Sequence, residues 1–184
     1  DALPISSTAT LTESNVAQSA SGTLAATDVD SATSFVAQTN VAGTNGYGHF
    51  SVDAAGQWTY TMDSAHNEFK AGQSYTDSIT VATADGTTQV VTVTMAGTND
   101  AAVITGDTVK ALTETNAALS TSGTLTVTDV DSAATFTAQA GTAGSYGTFT
   151  LSSAGVWSYT MDGAHDAFVA GQVYTETFTA VSAD

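Results

Sequence analysis

The 184 residues include no cysteine, only one proline, and two Lys or Arg against 18 Asp and Glu, giving a formal net charge of −16. Without cysteine there is no disulfide framework, no thiolate metal site and no thiol nucleophile. Two cations cannot neutralise a run of phosphates, which excludes a nucleic-acid partner. No apolar run in the sequence approaches the roughly 18 residues of a membrane span, so no membrane insertion is expected. The opening Asp1-Ala2-Leu3-Pro4 lacks the basic and apolar regions of a signal peptide, so the chain reads as a mature fragment or an excerpt.

Strong acidity with few aromatics is one signature of disorder. Here 42% of the residues are hydrophobic, enough for a core, and the polar content is mainly Thr, Ser and Gly. Threonine is β-branched and suits half-buried strands, so the composition favours an all-β protein.

The chain repeats itself. Ser21-Gly22-Thr23-Leu24 followed by Thr27-Asp28-Val29-Asp30 returns as Ser122-Gly123-Thr124-Leu125 and Thr128-Asp129-Val130-Asp131. Trp58-Thr59-Tyr60-Thr61-Met62-Asp63 returns as Trp157-Ser158-Tyr159-Thr160-Met161-Asp162, and Ala71-Gly72-Gln73 as Ala170-Gly171-Gln172. The first copy carries a two-residue insertion around 44–47. A period of about 100 residues is too long for a solenoid unit and fits one independent domain. The expected organisation is 1–98 for the first copy and 99–184 for the second, with the joint at Gly97-Thr98-Asn99-Asp100-Ala101. The alternating segment Thr87–Ala96 has no counterpart up to Asp184, so the second copy is expected to lack its last strand.

Period-2 alternation dominates. Trp58, Tyr60 and Met62 share one strand face, Phe50 and Val52 that of a partner, and Asp53-Ala54-Ala55-Gly56 between them reads as a hairpin loop. Ile79 and Val81 continue the pattern, and Asp85-Gly86 marks a second hairpin. Some seven short strands per copy predict a Greek-key, Ig-like β-sandwich, with both tryptophans as core anchors. The one helical candidate is a short turn near Ala65–Lys70.

On such a sandwich the recurrent acids gather at the poles. Glu13 ends the first strand, Asp63 closes the strand of Trp58, Asn99 and Asp100 lie in the linker, and Asp129, Asp131 and Asp184 lie at the facing pole of the second copy. Several carboxylates brought together repel one another, and a divalent cation resolves the conflict. Ca²⁺ takes six to eight oxygen ligands, and Asp-x-Asp on an extended loop turns alternate side chains to one side. Glu68 is the alternative to Asp63. By the same repetition, Asp1, Asp28, Asp30 and Asp85 form a half-site at the N-terminal pole, and Glu114 and Asp162 one at the C-terminal pole.

These motifs resemble VCBS repeats, units of large RTX-type bacterial surface adhesins. Gly-Thr-Leu-x-x-Thr-Asp-Val-Asp, Trp-x-Tyr-Thr-Met-Asp, Ala-Gly-Gln and the Ala-Asp-Gly turn carry the resemblance across essentially the whole chain. The layout is also similar to cadherins, where acids in this order bind calcium between domains. The resemblance implies Ca²⁺ at Glu13, Asp63, Asn99, Asp100, Asp129, Asp131 and Asp184.

Nothing points to catalysis. His66 and His165 recur in Asp-x-Ala-His and read as surface or capping residues of a loop, and His49 has no counterpart because Thr148 replaces it. No nucleophile–base–orienter set is visible, so an enzyme is not expected. The expected role is a calcium-stiffened extracellular spacer or stalk of a bacterial adhesin or matrix protein, secreted to the cell surface and supporting adhesion or biofilm formation. Its partners are then neighbouring repeats of the same chain and an adhesive ligand. Two alternatives remain open: a filament subunit that pairs with identical subunits through the open edge of the second copy, and a carbohydrate-binding module of a secreted hydrolase.

Overall fold

The computed structural model describes residues 7–29 and 33–184, in two units, Asp1–Asn99 and Asp100–Asp184. The described residues form twelve strands and no helix. The turn expected to be helical near Ala65–Lys70 is instead a succession of single hydrogen-bonded turns, with Phe69 N–H donating to His66 O (2.9 Å) and Gln73 N–H to Lys70 O (3.0 Å). His66 has a φ of 56°, a left-handed conformation that cannot continue a right-handed helix.

The first unit contains β1 (Ser7–Thr12), β2 (Ser19–Thr23), β3 (Gln38–Ala42), β4 (Gly48–Val52), β5 (Gln57–Met62), β6 (Ser74–Ala82) and β7 (Thr88–Ala96). They form two sheets, ordered β1-β7-β6 and β2-β5-β4-β3. The two expected hairpins are present: β4 pairs with β5 across residues 53–56, and β6 with β7 across Asp85-Gly86. β1 runs parallel to β7, with Ser7 opposite Val91 and Thr12 opposite Ala96. Alternation decides what is buried. Phe50, Val52, Trp58, Tyr60 and Met62 from one sheet join Ile79, Val81, Val91, Val93 and Met95 from the other in one core.

Two of the repeated motifs turn out to be halves of one contact. Gly22 lies opposite Trp58 across β2 and β5, and a Cβ on Gly22 would come within 2.7 Å of the indole nitrogen. Only glycine admits the ring, so Ser-Gly-Thr-Leu and Trp-x-Tyr-Thr-Met travel together. The second copy repeats the arrangement with Gly123 and Trp157. The indole N–H groups donate to Ser7 Oγ (2.8 Å) and to Asp107 O (3.0 Å).

The second unit contains β8 (Val103–Gly106), β9 (Ser120–Thr128), β10 (Gln139–Ala143), β11 (Gly147–Leu151) and β12 (Val156–Met161), in a single sheet ordered β10-β11-β12-β9-β8. Leu125, Val127, Phe136, Phe149, Leu151 and Trp157 form its core, with Phe178 and Ala180 packed against it. Residues 173–181, the counterpart of β6, form no strand, and neither do 108–113, the counterpart of β1. Both are the segments that β7 joins in the first unit.

Candidate metal-binding acids and the buried carboxylates

In the first unit Glu13 follows β1 and is 3% exposed. Its N–H donates to Ala96 O (2.8 Å), which fixes the residue beside the end of β7. Thr98 Oγ1 donates to Glu13 Oε2, while Oε1 is buried and accepts no hydrogen bond. Asp63, at the end of β5, is exposed and meets His49 Nδ1 at 2.6 Å. Glu68 meets His66 Nδ1 at 2.7 Å, and that hydrogen bond holds its carboxyl below the usual carboxylate range. Each candidate for the loop ligand is therefore engaged by a histidine.

At the start of the β6–β7 hairpin, Asp85 accepts from Thr83 Oγ1 and from Thr87 N–H (3.1 Å). Those bonds, Thr83 first, lower its pKa, while the nearby Asp28 charge opposes the shift. Asp28 and Asp85 are thus neighbours. Asp1 and Asp30, the other members of the expected N-terminal half-site, lie outside the described residues.

In the second unit four of the expected ligands accept hydrogen bonds from, or donate them through, nearby backbone. Asp131 N–H (3.0 Å) and Ser132 N–H (2.6 Å) donate to Asp129 Oδ1, Asp100 N–H donates to Asp131 Oδ1 (3.4 Å), and Ala102 N–H donates to Asp184 Oδ2 (3.3 Å). The Asp-Val-Asp segment curls so that one aspartate caps the backbone of the next, and Val130 between them points out to solvent. Asp131 is 5% exposed, and Oδ2 of both Asp129 and Asp131 is buried without a hydrogen-bond partner. Asn99 is exposed at the end of the first unit. Glu114 is exposed, and Asp162 is held by His165 Nε2 at 2.7 Å. Among the described residues, no group of three or more His, Asp or Glu is arranged to hold an ion as it stands.

A second pair of acids escaped the sequence reading. Asp77 in β6 is fully buried. Its carboxylate accepts from Asn45 N–H (2.9 Å), Tyr47 N–H (3.1 Å) and Tyr60 Oη (3.3 Å). The β3–β4 loop is tied by these bonds to the opposite sheet. Glu176 does the same in the second unit, accepting from Ser145 N–H, Tyr146 N–H (3.1 Å) and Tyr159 Oη (2.7 Å). Each carboxylate occupies the space a Cβ would take on Gly43 or Gly144. Burial first, then the adjacent carboxylate, pushes both tyrosine hydroxyls well above their usual range. A signal was present: Asp77 shares the strand parity of Tyr75, Ile79 and Val81, and Tyr-Thr-Asp recurs as Tyr174-Thr175-Glu176.

The recurrent histidines are core-edge residues rather than surface ones. His66 stacks on Phe69 (4.8 Å), which stacks on Tyr75 (3.8 Å), with Tyr47 edge-on to all three. His66 Nε2 donates to Tyr47 O (2.9 Å). His165, Phe168, Tyr174 and Tyr146 repeat the ladder, and both histidines have a φ of 56°.

Among the described residues no helix is long and apolar enough to cross a membrane. A comparison with curated proteins returned no match. Among solved structures, the chain is similar to one described as "PcdhgB3 EC1-4 in 50 mM HEPES", at 16% identity and a TM-score of 0.46, over 90% of this chain. The chain spans 42% of that structure's length. A family profile described as "Bacterial cadherin-like domain" matches residues 3–97, more than half of the chain. With seven strands in two facing sheets and a repeat of the same motifs behind them, the chain belongs to the bacterial cadherin-like domain family.

Proposed function

We propose that the chain is a calcium-binding stretch of an extracellular repeat array, a spacer or stalk in a bacterial adhesin or matrix protein, and not an enzyme. The reading rests on the buried carboxylate oxygens. Glu13 Oε1, Asp129 Oδ2 and Asp131 Oδ2 are out of solvent and accept no hydrogen bond. A buried charge left this way costs several kcal/mol, and it does so in a chain that already carries −16. A hard divalent cation with oxygen ligands removes that cost. Within the first unit Glu13 would hold such an ion, and within the second Asp100, Asp129, Asp131 and Asp184 would. The ion would supply charge neutralisation and fix the loops that carry its ligands. Membership of a cadherin-like family favours the same ion and an extracellular setting.

A carbohydrate-binding platform is less favoured, since Tyr174 is the one aromatic among the exposed large hydrophobic residues described.

Melting in EDTA and in millimolar Ca²⁺ tests the proposal. Calcium at 100 times its Kd should add about 2.7 kcal/mol to the native state. Asp129→Asn and Asp131→Asn should each weaken calcium binding about tenfold or more, while Asp53→Ala should leave it unchanged. Asp53 accepts from Ala55 N–H and Gln57 N–H inside its hairpin loop, so its loss destabilises only that turn. Identical melting midpoints with and without calcium would overturn the proposal.

A further inference from the structure

The two extra residues of the first copy lie in the β3–β4 loop. Gly43-Thr44-Asn45-Gly46-Tyr47 stands where the second copy has Gly144-Ser145-Tyr146, so the insertion brings in Asn45-Gly46, the one Asn-Gly pair of the sequence. The loops are otherwise closed alike. Gly43 N–H donates to Gly48 O (2.9 Å), and Gly144 N–H to Gly147 O (2.7 Å). Asn45 N–H and Tyr47 N–H serve the Asp77 carboxylate as Ser145 N–H and Tyr146 N–H serve Glu176. The extra residues form a turn in which Gly46 N–H donates to Gly43 O (3.1 Å) and Gly46 has a φ of 74°.

An asparagine followed by glycine has a reaction open to it. The next backbone nitrogen attacks the side-chain amide carbon, and glycine alone leaves that nitrogen unshielded by a Cβ. Asn15, Asn40, Asn67, Asn99 and Asn116 are each followed by a residue with a side chain. Asn45 and Gly46 are both exposed, and nothing lies within 4 Å of where a Gly46 side chain would begin, so water reaches the pair and ammonia leaves it freely. In the closed loop, however, the reacting groups are engaged elsewhere. Asn45 Nδ2 donates to Thr76 O (2.6 Å), Asn45 N–H to Asp77 Oδ1 (2.9 Å) and Gly46 N–H to Gly43 O.

We propose that Asn45-Gly46 is a site of spontaneous chain modification, deamidation through a cyclic imide, at a rate set by how often the loop leaves Asp77. In the opened loop Gly46 N bonds to Asn45 Cγ and the Cγ–Nδ2 bond breaks. Nδ2 departs as ammonia, taking the Gly46 amide proton. Water then opens the imide at either of its two carbonyls, leaving aspartate or isoaspartate at position 45. Neither product restores the loop. A carboxylate has no proton to donate to Thr76 O, and it sets a second negative charge beside Asp77. Isoaspartate also lengthens the backbone between the two amides that Asp77 holds. The reaction therefore converts an anchored loop into a released one, in the first unit alone, since Ser145 has no amide to lose.

Incubation of the 184-residue chain and of a synthetic peptide of residues 41–50 (VAGTNGYGHF) at mildly alkaline pH, followed by peptide mapping with mass spectrometry, tests this. Asn45 should be the first asparagine converted in the folded chain, at about a tenth or less of the peptide's rate, because several hydrogen bonds must open first. Asp77→Asn should speed conversion about threefold or more while the amides of β5 and β7 keep their protection. A second measurement needs no variant. The converted chain, separated by its added negative charge, should exchange the amides of residues 45 and 47 about tenfold faster than the parent, with β9 to β12 unchanged. Equal rates in chain and peptide, earlier conversion of another asparagine, or undiminished protection of residues 45 and 47 after conversion would each overturn the proposal.

Discussion

Residues 74–82 and 173–181 carry the same pattern in two copies of one domain, yet only the first is a strand. Both alternate polar and apolar residues, both contain an inward acid, and both are anchored to the opposite sheet by a glutamine and a tyrosine. They differ in the company they keep. β6 has β7 beside it with nine paired residues from Ser74↔Ala96 to Ala82↔Thr88, whereas 173–181 has no neighbouring strand among the described residues. The same partner decides the fate of the N-terminal segments, since 7–12 is a strand and 108–113 is not. Alternation therefore specifies which side chains face the core, while the strand itself is a property of the pair. The cost appears in the core: Trp58 is 1% exposed and Trp157 8%, Phe50 0% and Phe149 7%.

The sharpest way to break the comparison is to delete the anchors. Trp58→Ala should cost the first unit about 3–5 kcal/mol, the range for a fully packed aromatic. Trp157→Ala should cost the second unit markedly less, because its site is already partly open. Protection factors resolved by unit give both values, and equal losses would show that the two cores are equivalent. Next is the buried acid. Asp77→Ala strands Asn45 N–H, Tyr47 N–H and Tyr60 Oη, for a loss of about 2–3 kcal/mol, with a smaller loss for Glu176→Ala, whose surroundings are wetter. Denaturant unfolding of the two variants against the parent measures this.

Alkaline pH should weaken both units, since Tyr60 and Tyr159 are raised alike. The Tyr60 hydroxyl is raised above its ordinary 10.0 by burial and by Asp77. Its contribution is then complete below pH 10 and is lost as pH rises above that value, because the unfolded state releases a proton that the folded state keeps. The unfolding midpoint of the first unit should fall steadily above pH 10, and Tyr60→Phe should flatten the slope. The smallest effect expected is that of Gln38→Ala and Gln139→Ala, about 0.5–1.5 kcal/mol each for one hydrogen bond. Faster amide exchange across 173–181 in the second variant, without a matching change across 74–82 in the first, would confirm that the unpaired segment depends more on its anchor.

Much of this was legible in the sequence. The hairpins at 53–56 and Asp85-Gly86, the inward Trp58, Tyr60 and Met62, and the all-β sandwich follow from period-2 spacing and turn residues, which act locally. Asp77 was not found because an acid on a half-buried strand is ordinarily placed outside. Only the Gly43 gap and the loop amides that fill its carboxylate with hydrogen bonds make burial favourable, and both lie some 30 residues away. His66 reads as a surface or capping residue because nothing local announces a left-handed residue stacked on Phe69. Of the expected metal ligands, Asp100, Asp131 and Asp129 are linked by backbone-to-carboxylate hydrogen bonds, Asp184 accepts from Ala102 N–H, and Asp28 lies near Asp85. The engagement of Asp63 by His49 depends on a side chain that the second copy lacks.

The parallel pairing of β1 and β7 has a mechanical consequence. One is the first described strand of its unit and the other the last, and they run side by side in the same direction over six register pairs. Tension applied to the start of β1 and the end of β7 therefore slides one strand along the other. All the hydrogen bonds between them are strained at once, instead of opening one after another as in a hairpin pulled apart from its open end. The unit then meets a pull along its strands in shear, the geometry in which a short ladder of weak bonds resists as a single body.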